Sequence, residues 1–291
     1  DNLLTGVERN IAYLRASSRF TFVQHDITQP LDLEVDEIYH LASPASPVGY
    51  WNHPFETIAA NTLGTQRMLA LAQRHGARLL YTSTSEAYGD PLVHPQREDY
   101  WGNVNPVGVR ACYDESKRLG ETLTMEYVRR YATNARIVRI FNTYGPRNQV
   151  NDGRMIPNFI SGALKGEPLV IHGTGGQTRS LCYVDDLVEG LMLAMGKPNT
   201  QGEVINLGHP QEATVLEWAQ LIVKLTSSSS TITHVTKRED DPDRRCPDIS
   251  KARRLLGWEP RTDPSTGLTQ TIAWYRDELA REGDRVASAR Q

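Results

Sequence analysis

Tyr113 and Lys117 stand four positions apart in the string Tyr113-Asp114-Glu115-Ser116-Lys117. In a helix this spacing places both side chains on one face, one turn apart. A phenol has a pKa of about 10 and is a weak base at neutral pH, but a neighbouring ammonium group favours the phenolate. Tyr113 is therefore a candidate general base for a sugar hydroxyl, activated by Lys117. The spacing also fits an amphipathic helix with Tyr113 buried and Lys117 solvated.

Hydroxyl side chains and a carboxylate follow one another in Thr82-Ser83-Thr84-Ser85-Glu86, at the end of a predicted strand. The carboxyl ends of parallel strands are where open α/β sheets bind their ligands. A hydroxyl in this string can hydrogen-bond the reacting oxygen beside Tyr113, and Glu86 can act as an acid or base. The alternative is a Ser/Thr-rich turn with Glu86 exposed.

Two arginine-bearing segments lie in the second half of the chain. Gly173-Thr174-Gly175-Gly176-Gln177-Thr178-Arg179 fits either a phosphate-binding loop or a flexible hairpin. Arg244-Arg245 follows the acidic run Glu239-Asp240-Asp241 and fits either anion binding or a solvated run of charges.

Strands and helices alternate through the first half and would position these residues. Strands are predicted at residues 20–26, 36–42, 78–83 and 136–141, and long amphipathic helices at 54–75 and 112–131. This rhythm predicts an α/β fold with a Rossmann-like, doubly wound parallel sheet.

Shorter elements follow Pro146. Helices are predicted at residues 157–164, 185–195, 215–226 and 264–282, and strands at 169–172, 181–184 and 204–207. We therefore expect a dinucleotide-binding domain over residues 1–147 and a smaller C-terminal α/β lobe over 148–291 that binds the substrate. Residues 184–207 are expected to return to the first domain.

Composition excludes several classes of protein. Lys and Arg number 32 and Asp and Glu 35, a formal net charge of −3, so no diffuse basic surface favours nucleic acid or anionic membranes. No apolar run approaches the roughly 20 residues that span a bilayer. The three cysteines are scattered without a CxxC or Cys/His cluster, so we expect no metal site, no disulfide framework, and a reducing, cytoplasmic compartment.

Together these segments resemble the extended short-chain dehydrogenases/reductases, whose marks are the Tyr-xxx-Lys pair, a Ser/Thr strand end and a preceding βαβ sheet. Within that family, the string His40-Leu41-Ala42-Ser43-Pro44 and several others are similar to the UDP-glucuronate decarboxylases, or UDP-xylose synthases. The resemblance covers roughly residues 1 to 280. The other strings are residues 83–91, 94–96, 98–102, 110–115, 139–147, 151–154, 176–179 and 247–249.

The resemblance implies a decarboxylating lyase that binds NAD in the first lobe and UDP-glucuronate under the second. Tyr113 would deprotonate the C4 hydroxyl of the sugar, with Lys117 lowering its pKa and Thr84 sharing the hydrogen bond. Ser85, Glu86 and Arg179 would orient the carboxylate or manage the proton at C5. The implied substrate-binding residues are Asn142, Asn158, Arg179 and Arg245. The implied NAD-binding residues are Asp1, Asn2, Thr5, Gly6, Asp26, Ile27, Leu41, Ala42, Ser43, Thr82, Ser83, Tyr113, Lys117, Thr143 and Arg154.

The sequence departs from the family at its start. The family's Gly-rich GxxGxxG turn is not found, and Asp1-Asn2 resembles the acidic strand end that binds the adenosine ribose roughly 20 residues after that turn. Because a parallel sheet does not easily lose a central strand, we expect a longer protein, with about 30 further N-terminal residues. Whether a membrane anchor lies upstream of Asp1 stays open. Ala59-Ala60 replaces a usual Lys-Thr pair, which leaves one ligand contact open, and Ser116 replaces a common Gly.

Other functions on the same fold stay open. A nucleotide-sugar 4,6-dehydratase would carry an Asp-Glu pair after the strand-end Thr, where this chain has Ser85-Glu86, and a 4-epimerase needs no residues for a carboxylate. A catalytically inactive dinucleotide-binding protein is a further alternative, against which Tyr113, Lys117 and Thr84 argue. The product, UDP-xylose or a released 4-keto pentose, is left open. The resemblance also suggests a homodimer packed through residues 54–75 and 112–131.

Overall fold

A parallel sheet forms the centre of the first half of the molecule. The computed structural model describes residues 1–237 and 242–288. Strands β1 (Glu37–His40), β2 (Arg78–Thr84), β3 (Ala135–Ile140) and β8 (Val204–Leu207) pair in the order β1-β2-β3-β8, all parallel. The α/β fold predicted from the sequence is confirmed. The pairing of β8 with β3 returns the chain from the second half to this sheet, whereas the division at residue 147 stays a prediction.

Strand β2 explains why helices cover both faces of this sheet. Every residue of β2 after Arg78 is buried, as expected for a parallel strand with apolar neighbours on both sides. Leu79 and Tyr81 pack into one apolar cluster with Ile137, while Leu80 packs into the cluster on the opposite face. Alternation along the strand therefore divides the core into two layers.

One face is covered by two long helical segments. The first consists of α2 (Pro54–Ala59), a single π-helical turn (Ala60–Gly64) and α3 (Thr65–His75), and a short helix, α1 (Pro47–Asn52), precedes it. The predicted helix 54–75 is confirmed, and Gly76 ends it in the left-handed conformation at φ +66°. The second segment is α4 (Ala111–Tyr131). The π turn was not predicted, because π turns have no simple sequence pattern.

The second half has a core of its own, built on helices α5 (Met155–Lys165), α7 (Val215–Thr226) and α9 (Pro264–Ser288). Helix α7 begins at a capping box, in which the Thr214 hydroxyl and the Glu217 carboxylate each accept a backbone N–H of the other residue. The remaining helices are α6 (Val184–Gly196) and α8 (Ser250–Leu256). The remaining strands are β4 (Thr143–Tyr144), β5 (Leu169–His172), β6 (Thr178–Ser180), β7 (Cys182–Tyr183), β9 (Glu212–Thr214), β10 (Ile232–Val235) and β11 (Arg244–Arg245).

The structure corrects three of the predicted elements. Residues 20–26 form no strand, because the backbone bonds that tie this segment to the start of the chain involve Asp1 alone and do not build a ladder. The strand predicted at 181–184 is the two-residue β7, which pairs with β4. The last helix runs to Ser288, past the predicted end at residue 282. The acidic run 239–241 lies outside the described residues.

Helices of the described residues are too short or too polar to cross a membrane.

Candidate active site

A cavity of about 680 Å³ lies at the carboxyl ends of β2 and β3, beneath the second half of the molecule. Its wall brings together the strand-end string 82–86, Tyr113 and Lys117 of helix α4, and Arg179 and Arg245 from the second half. The residues that the sequence singled out for chemistry therefore share one cavity. The predicted substrate-binding residues Asn142 and Asn158 and the predicted NAD-binding residues Leu41, Ser43, Thr143 and Arg154 also line it.

Tyr113 is almost fully buried, with 6% of its surface exposed. Its ring stacks on the ring of Tyr50, with centroids 5.2 Å apart and planes inclined by 13°. Burial raises the pKa of Tyr113 to about 12, although a hydrogen bond from Thr84 lowers it. The structure thus differs from the sequence expectation of a lowered pKa, because the loss of solvent outweighs the polar contacts of the phenol.

Lys117 lies one turn further along α4 and is also buried. Its Nζ donates a hydrogen bond of 2.8 Å to the Thr82 carbonyl and lies 5.9 Å from the centre of the Tyr113 ring. Burial lowers the pKa of Lys117 to about 7, and the Glu121 carboxylate acts in the opposite direction. The ammonium is consequently close to half titration at neutral pH.

The π turn and helix α4 are joined directly beneath the two catalytic candidates. Asn61 Nδ2 donates to Ser116 Oγ at 2.9 Å, and Ser116 Oγ donates to the carbonyl of Cys112 at 2.5 Å. Tyr81 OH donates to the Lys117 carbonyl at 3.3 Å. These bonds fix α4 against the sheet, so that Tyr113 and Lys117 point at the ends of the strands.

Glu86 is held between two arginines rather than facing a ligand as an available acid. Arg110 lies 2.5 Å from its Oε2, and Arg245 pairs with its Oε1. Burial favours the neutral acid, but Arg110 and Arg245 outweigh it and hold the pKa of Glu86 at about 2. Glu86 is therefore ionised at neutral pH, and its role as an acid or base stays a prediction.

Arg179 on β6 and Arg245 on β11 reach the cavity from neighbouring strands of the small sheet β11-β6-β9, where they are paired residues. Both are buried, with 7% and 4% of their surface exposed. Arg179 NH1 donates to the Thr178 carbonyl at 2.8 Å, and Arg245 NH2 donates to the Gly89 carbonyl at 3.1 Å. Two guanidinium groups beside one cavity suit a diphosphate or a carboxylate.

Seven of the predicted NAD-binding residues do not line the cavity, and four of them lie together at the start of the chain. Asn2 Nδ2 donates to the Asp26 carboxylate at 3.2 Å, and Gly6 lies so close to Asp1 that a Cβ would come within 2.9 Å of its carboxylate. The other three are Thr5, whose carbonyl accepts from Gln149 Nε2, Ile27, which packs beside Gly64, and Ala42, which lies between the cavity residues Leu41 and Ser43. The structure thus brings one group of the predicted NAD-binding residues together in the cavity and a second, smaller group beside Asp1.

The cavity residues fit the nicotinamide end of a dinucleotide. Ser43 Oγ lines the cavity and is buried with no hydrogen-bond partner among the described residues. Lys117 has three N–H donors, one of which donates a hydrogen bond to the Thr82 carbonyl. A ribose hydroxyl or a carboxamide would satisfy such groups. Among residues 1–237 and 242–288, clusters of His, Cys, Asp and Glu suitable for a metal ion are absent.

Sequence reasoning missed Tyr50, Arg110 and Asp114. Tyr50 follows a breaker-rich segment, and only the fold shows that it stacks on Tyr113. Arg110 and Asp114 flank Tyr113 in the string that carries the family resemblance, so their position within one turn of the candidate base was an available signal.

The family model described as GDP-mannose 4,6 dehydratase matches residues 5–271. UDP-glucuronic acid decarboxylase 1 of Danio rerio is 51% identical over 284 residues, which are 98% of this chain and 68% of that protein. UDP-glucuronic acid decarboxylase 6 of Arabidopsis thaliana is 53% identical over 268 residues, 92% of this chain and 78% of that protein.

Solved structures with the same fold carry ligands. UDP-glucuronic acid 4-epimerase from Bacillus cereus, in complex with UDP-glucuronic acid and NAD, has a TM-score of 0.84 at 29% identity, covering 93% of this chain and 86% of that one. The dTDP-glucose 4,6-dehydratase from Streptomyces venezuelae, with NAD bound, has a TM-score of 0.85 at 27% identity, covering 95% and 86%.

Proposed function

Because the chain belongs to the family of the UDP-glucuronic acid decarboxylases, we infer that it decarboxylates UDP-glucuronate and uses NAD as a cofactor that is regenerated in each cycle. The observation that carries this function is the meeting of Tyr113, Lys117 and Thr84 with Arg179 and Arg245 in one cavity. The first three suit oxidation at a sugar hydroxyl, and the two arginines suit an anionic nucleotide sugar.

When bound, NAD would supply the acceptor for the hydride of the sugar C4 and, in its reduced form, the hydride for the return step. We propose that Tyr113 accepts the proton of the C4 hydroxyl and that Thr84 hydrogen-bonds the same oxygen. Lys117 would bind the nicotinamide ribose through the N–H groups that do not donate to the Thr82 carbonyl. These three roles are proposals about residues that share the cavity wall.

The carboxylate leaves after C4 has become a ketone. The bond between C5 and the carboxyl carbon breaks, its electron pair moves into the enolate of the 4-ketone, and CO₂ departs. A proton then adds at C5. We assign the orientation of the carboxylate to Arg179, which lines the cavity. Glu86, paired with two arginines, is assigned to holding Arg245 rather than to proton transfer.

The rival functions predict different side chains after the strand end. A 4,6-dehydratase would carry an Asp-Glu pair there, where this chain has Ser85-Glu86. The relatives at about half identity are decarboxylases by name, while the epimerase and the dehydratase are below one third identity. Decarboxylation is therefore favoured over the two other reactions and over an inactive dinucleotide-binding protein.

Incubation of the purified protein with UDP-glucuronate and NAD⁺ tests this function. We expect CO₂ release with stoichiometric formation of a UDP-pentose, followed by NMR, which also distinguishes UDP-xylose from the 4-keto pentose. UDP-galacturonate formation would indicate an epimerase. If the folded protein binds NAD but releases no CO₂, the proposed decarboxylation is contradicted.

We also propose that the protein is a homodimer. Large apolar side chains are exposed on the helical segment α2–α3 and on α4: Phe55 at 81%, Ile58 at 40%, Leu63 at 41% and Leu119 at 48%. An exposed apolar helix face of this kind is typical of a protein–protein interface.

A further inference from the structure

The first part of the chain contacts the loop that forms one side of the main cavity. This loop covers residues 145–154, between β4 and α5. Its cavity-lining residues are Val150, Asn151, Gly153 and Arg154. The contacting segment, residues 1–15, contains two short 3₁₀ turns, Glu8–Asn10 and Ala12–Leu14. Because the predicted NAD-binding group beside Asp1 belongs to the same segment, one stretch of chain lies between the two proposed ligand sites.

Arg147 is the loop residue that this segment holds. Asn10 Nδ2 donates to the Arg147 carbonyl at 3.1 Å, and Arg147 NH1 donates to the Asn10 carbonyl at 3.3 Å. The guanidinium carbon of Arg147 lies 4.6 Å from the centre of the Tyr13 ring, within the range of a cation–π contact. Two residues of the segment therefore contact both the backbone and the side chain of one arginine.

The backbone of Arg147 needs this support. Its φ of +69° lies in the left-handed region, which costs free energy for a residue that has a Cβ. Such a conformation persists only where surrounding contacts hold it. Without the contacts from Asn10 and Tyr13, Arg147 would relax towards negative φ, and the loop residues that follow it would leave the cavity wall.

Further contacts join the segment, the loop and helix α9. Gln149 Nε2 donates to the Thr5 carbonyl at 2.6 Å, and the Tyr275 hydroxyl of α9 donates to the Gln149 carbonyl at 3.3 Å. Arg9 pairs with the buried carboxylate of Glu278, also in α9. Thr5 is one of the predicted NAD-binding residues, so the dinucleotide side of the molecule is bonded directly to the loop.

The loop in turn places a charge beside the proposed base. Arg154 Nε donates to the Asp152 carboxylate at 2.8 Å, and Asp152 is 4% exposed. The positive charge of Arg154 acts on the Tyr113 phenol, and both residues line the cavity. A displacement of the loop would therefore change the cavity wall and the surroundings of Tyr113 together.

We propose that Asn10, Tyr13 and Arg147 are positioning residues, which hold the loop 145–154 at the cavity and couple the binding of the nucleotide sugar to that of the dinucleotide. A dinucleotide bound beside Asp1 fixes the segment 1–15, and the segment keeps Arg147 in its left-handed conformation. A nucleotide sugar bound against the loop favours the same arrangement, so each ligand tightens the other. This inference rests on the proposed function, in which NAD and UDP-glucuronate bind on these two sides.

ADP-ribose and UDP are suitable probes, because they lack the nicotinamide and the sugar through which the two natural ligands would touch. Calorimetric titration of the wild type should give a dissociation constant for UDP that is about fivefold lower with saturating ADP-ribose than without it, a typical strength for coupled sites. Asn10→Ala removes the donor to the Arg147 carbonyl. It should give the same dissociation constant for UDP with and without ADP-ribose.

Two substitutions of Arg147 test the strained backbone separately. Arg147→Ala and Arg147→Gly both remove the guanidinium contacts, but glycine adopts a positive φ without steric cost. Arg147→Ala should bind UDP about fivefold more weakly than the wild type, and Arg147→Gly should regain most of this loss. Ser227 provides the matched control, since it has a φ of +55° at the end of α7 and does not line the cavity. Ser227→Ala and Ser227→Gly should bind UDP as the wild type does.

Three results would overturn the inference. They are a wild-type affinity for UDP that ADP-ribose does not change, a coupling that persists in Asn10→Ala, and equal affinities of Arg147→Ala and Arg147→Gly for UDP. A wild type that fails to bind ADP-ribose or UDP would instead contradict the proposed function.

Discussion

At the scale of single residues, the pKa values in the cavity depend on burial together with the partners of each group. Tyr113, Lys117 and Glu86 are all withdrawn from water, but their pKa values move differently because their partners differ. Tyr113 has one hydroxyl partner and its pKa rises, whereas Glu86 has two guanidinium partners and its pKa falls. The partners, and not the burial alone, decide which group can exchange a proton near neutral pH.

Tyr113→Phe removes the hydroxyl but keeps the ring that stacks on Tyr50. We expect CO₂ release to fall by about 10² to 10⁴-fold, the usual contribution of a general base. Tyr131→Phe is the matched control, since Tyr131 is 56% exposed at the end of the same helix. Activity of Tyr113→Phe within a few fold of the wild type would exclude Tyr113 as the base.

His40 makes the folded protein sensitive to mild acid. Its ring is buried at the end of β1, with one nitrogen 3.0 Å from the Thr65 hydroxyl. Burial, assisted by the charge of Lys117, lowers the pKa of His40 from 6.5 to about 3. Between these values the unfolded chain binds the proton and the folded chain does not, so the free energy of unfolding falls as the pH drops from 6.5 towards 3.

At pH 5 this effect amounts to about 2 kcal/mol. Urea unfolding at pH 7 and pH 5 should therefore show a smaller loss for His40→Gln than for the wild type, whereas His234→Gln, at an exposed site, should behave as the wild type. Equal losses in His40→Gln and the wild type would contradict a neutral, buried His40.

The pair Tyr113 and Lys117 could be found from sequence because a fixed spacing on a helix survives folding. The cluster around Glu86 could not, since its arginines come from positions 110 and 245 and nothing in the local sequence says that they meet. The local sequence therefore predicts Glu86 as a possible acid or base, and only the folded chain shows that two arginines pair with it.

At the scale of elements, the position of α4 depends on close contact with the sheet and with the π turn. Gly120 allows this contact, because a Cβ there would lie 2.1 Å from the Tyr81 hydroxyl and 3.0 Å from the Asn61 carbonyl. The Tyr81 hydroxyl in turn donates to the Lys117 carbonyl. A small residue is thus required at a helix position where alanine would otherwise be preferred.

Gly120→Ala should lower the free energy of unfolding by about 1 to 3 kcal/mol, as overpacking of a core does. Gly162→Ala in α5 provides the comparison, since a Cβ there finds its nearest neighbour at 3.5 Å and should stabilise the helix by up to about 1 kcal/mol. Urea unfolding measures both changes. Stabilisation of similar size in the two variants would show that α4 does not depend on this contact.

Most elements could be predicted because their patterns are strong. The helix 112–131 and the strands 169–172 and 204–207 agree with the structure to within one residue. The segment 20–26 has the composition of a strand, but a strand forms only when a neighbouring strand pairs with it. Its two backbone bonds to Asp1 do not amount to such a pairing. Residue type was therefore sufficient to predict helix 112–131 and was insufficient to predict whether residues 20–26 form a strand.

At the scale of the whole molecule, the exposed apolar face of α2–α3 and α4 is the feature that points to a partner. Phe55 is 81% exposed within it, although large aromatic side chains are usually covered. The opposite side of these helices carries the site, because α4 presents Tyr113 and Lys117 to the cavity. Pairing of two copies through this face would therefore stabilise the helix that holds the proposed catalytic residues.

Phe55→Glu should convert the proposed dimer to a monomer, because it would place a charge in the proposed apolar interface. Light scattering after size exclusion should give twice the chain mass for the wild type and the chain mass for the variant. Val107→Glu, at a loop position 92% exposed, should remain dimeric. A monomeric wild type, or a dimeric Phe55→Glu, would contradict this interface.

The ion pair between Glu86 and Arg245 also bears on the order in which the proposed site is assembled. The two residues are 159 positions apart, and Gln96, whose side chain accepts from the Cys246 backbone, lies 150 positions before Cys246. During synthesis Tyr113 and Lys117 leave the ribosome long before Arg245 does, so an early fragment carries the proposed base without the arginine that is proposed to bind the diphosphate. Contacts of such long sequence separation form late and slowly. The proposed site therefore stays incomplete in a nascent chain until residue 245 has emerged and paired with Glu86.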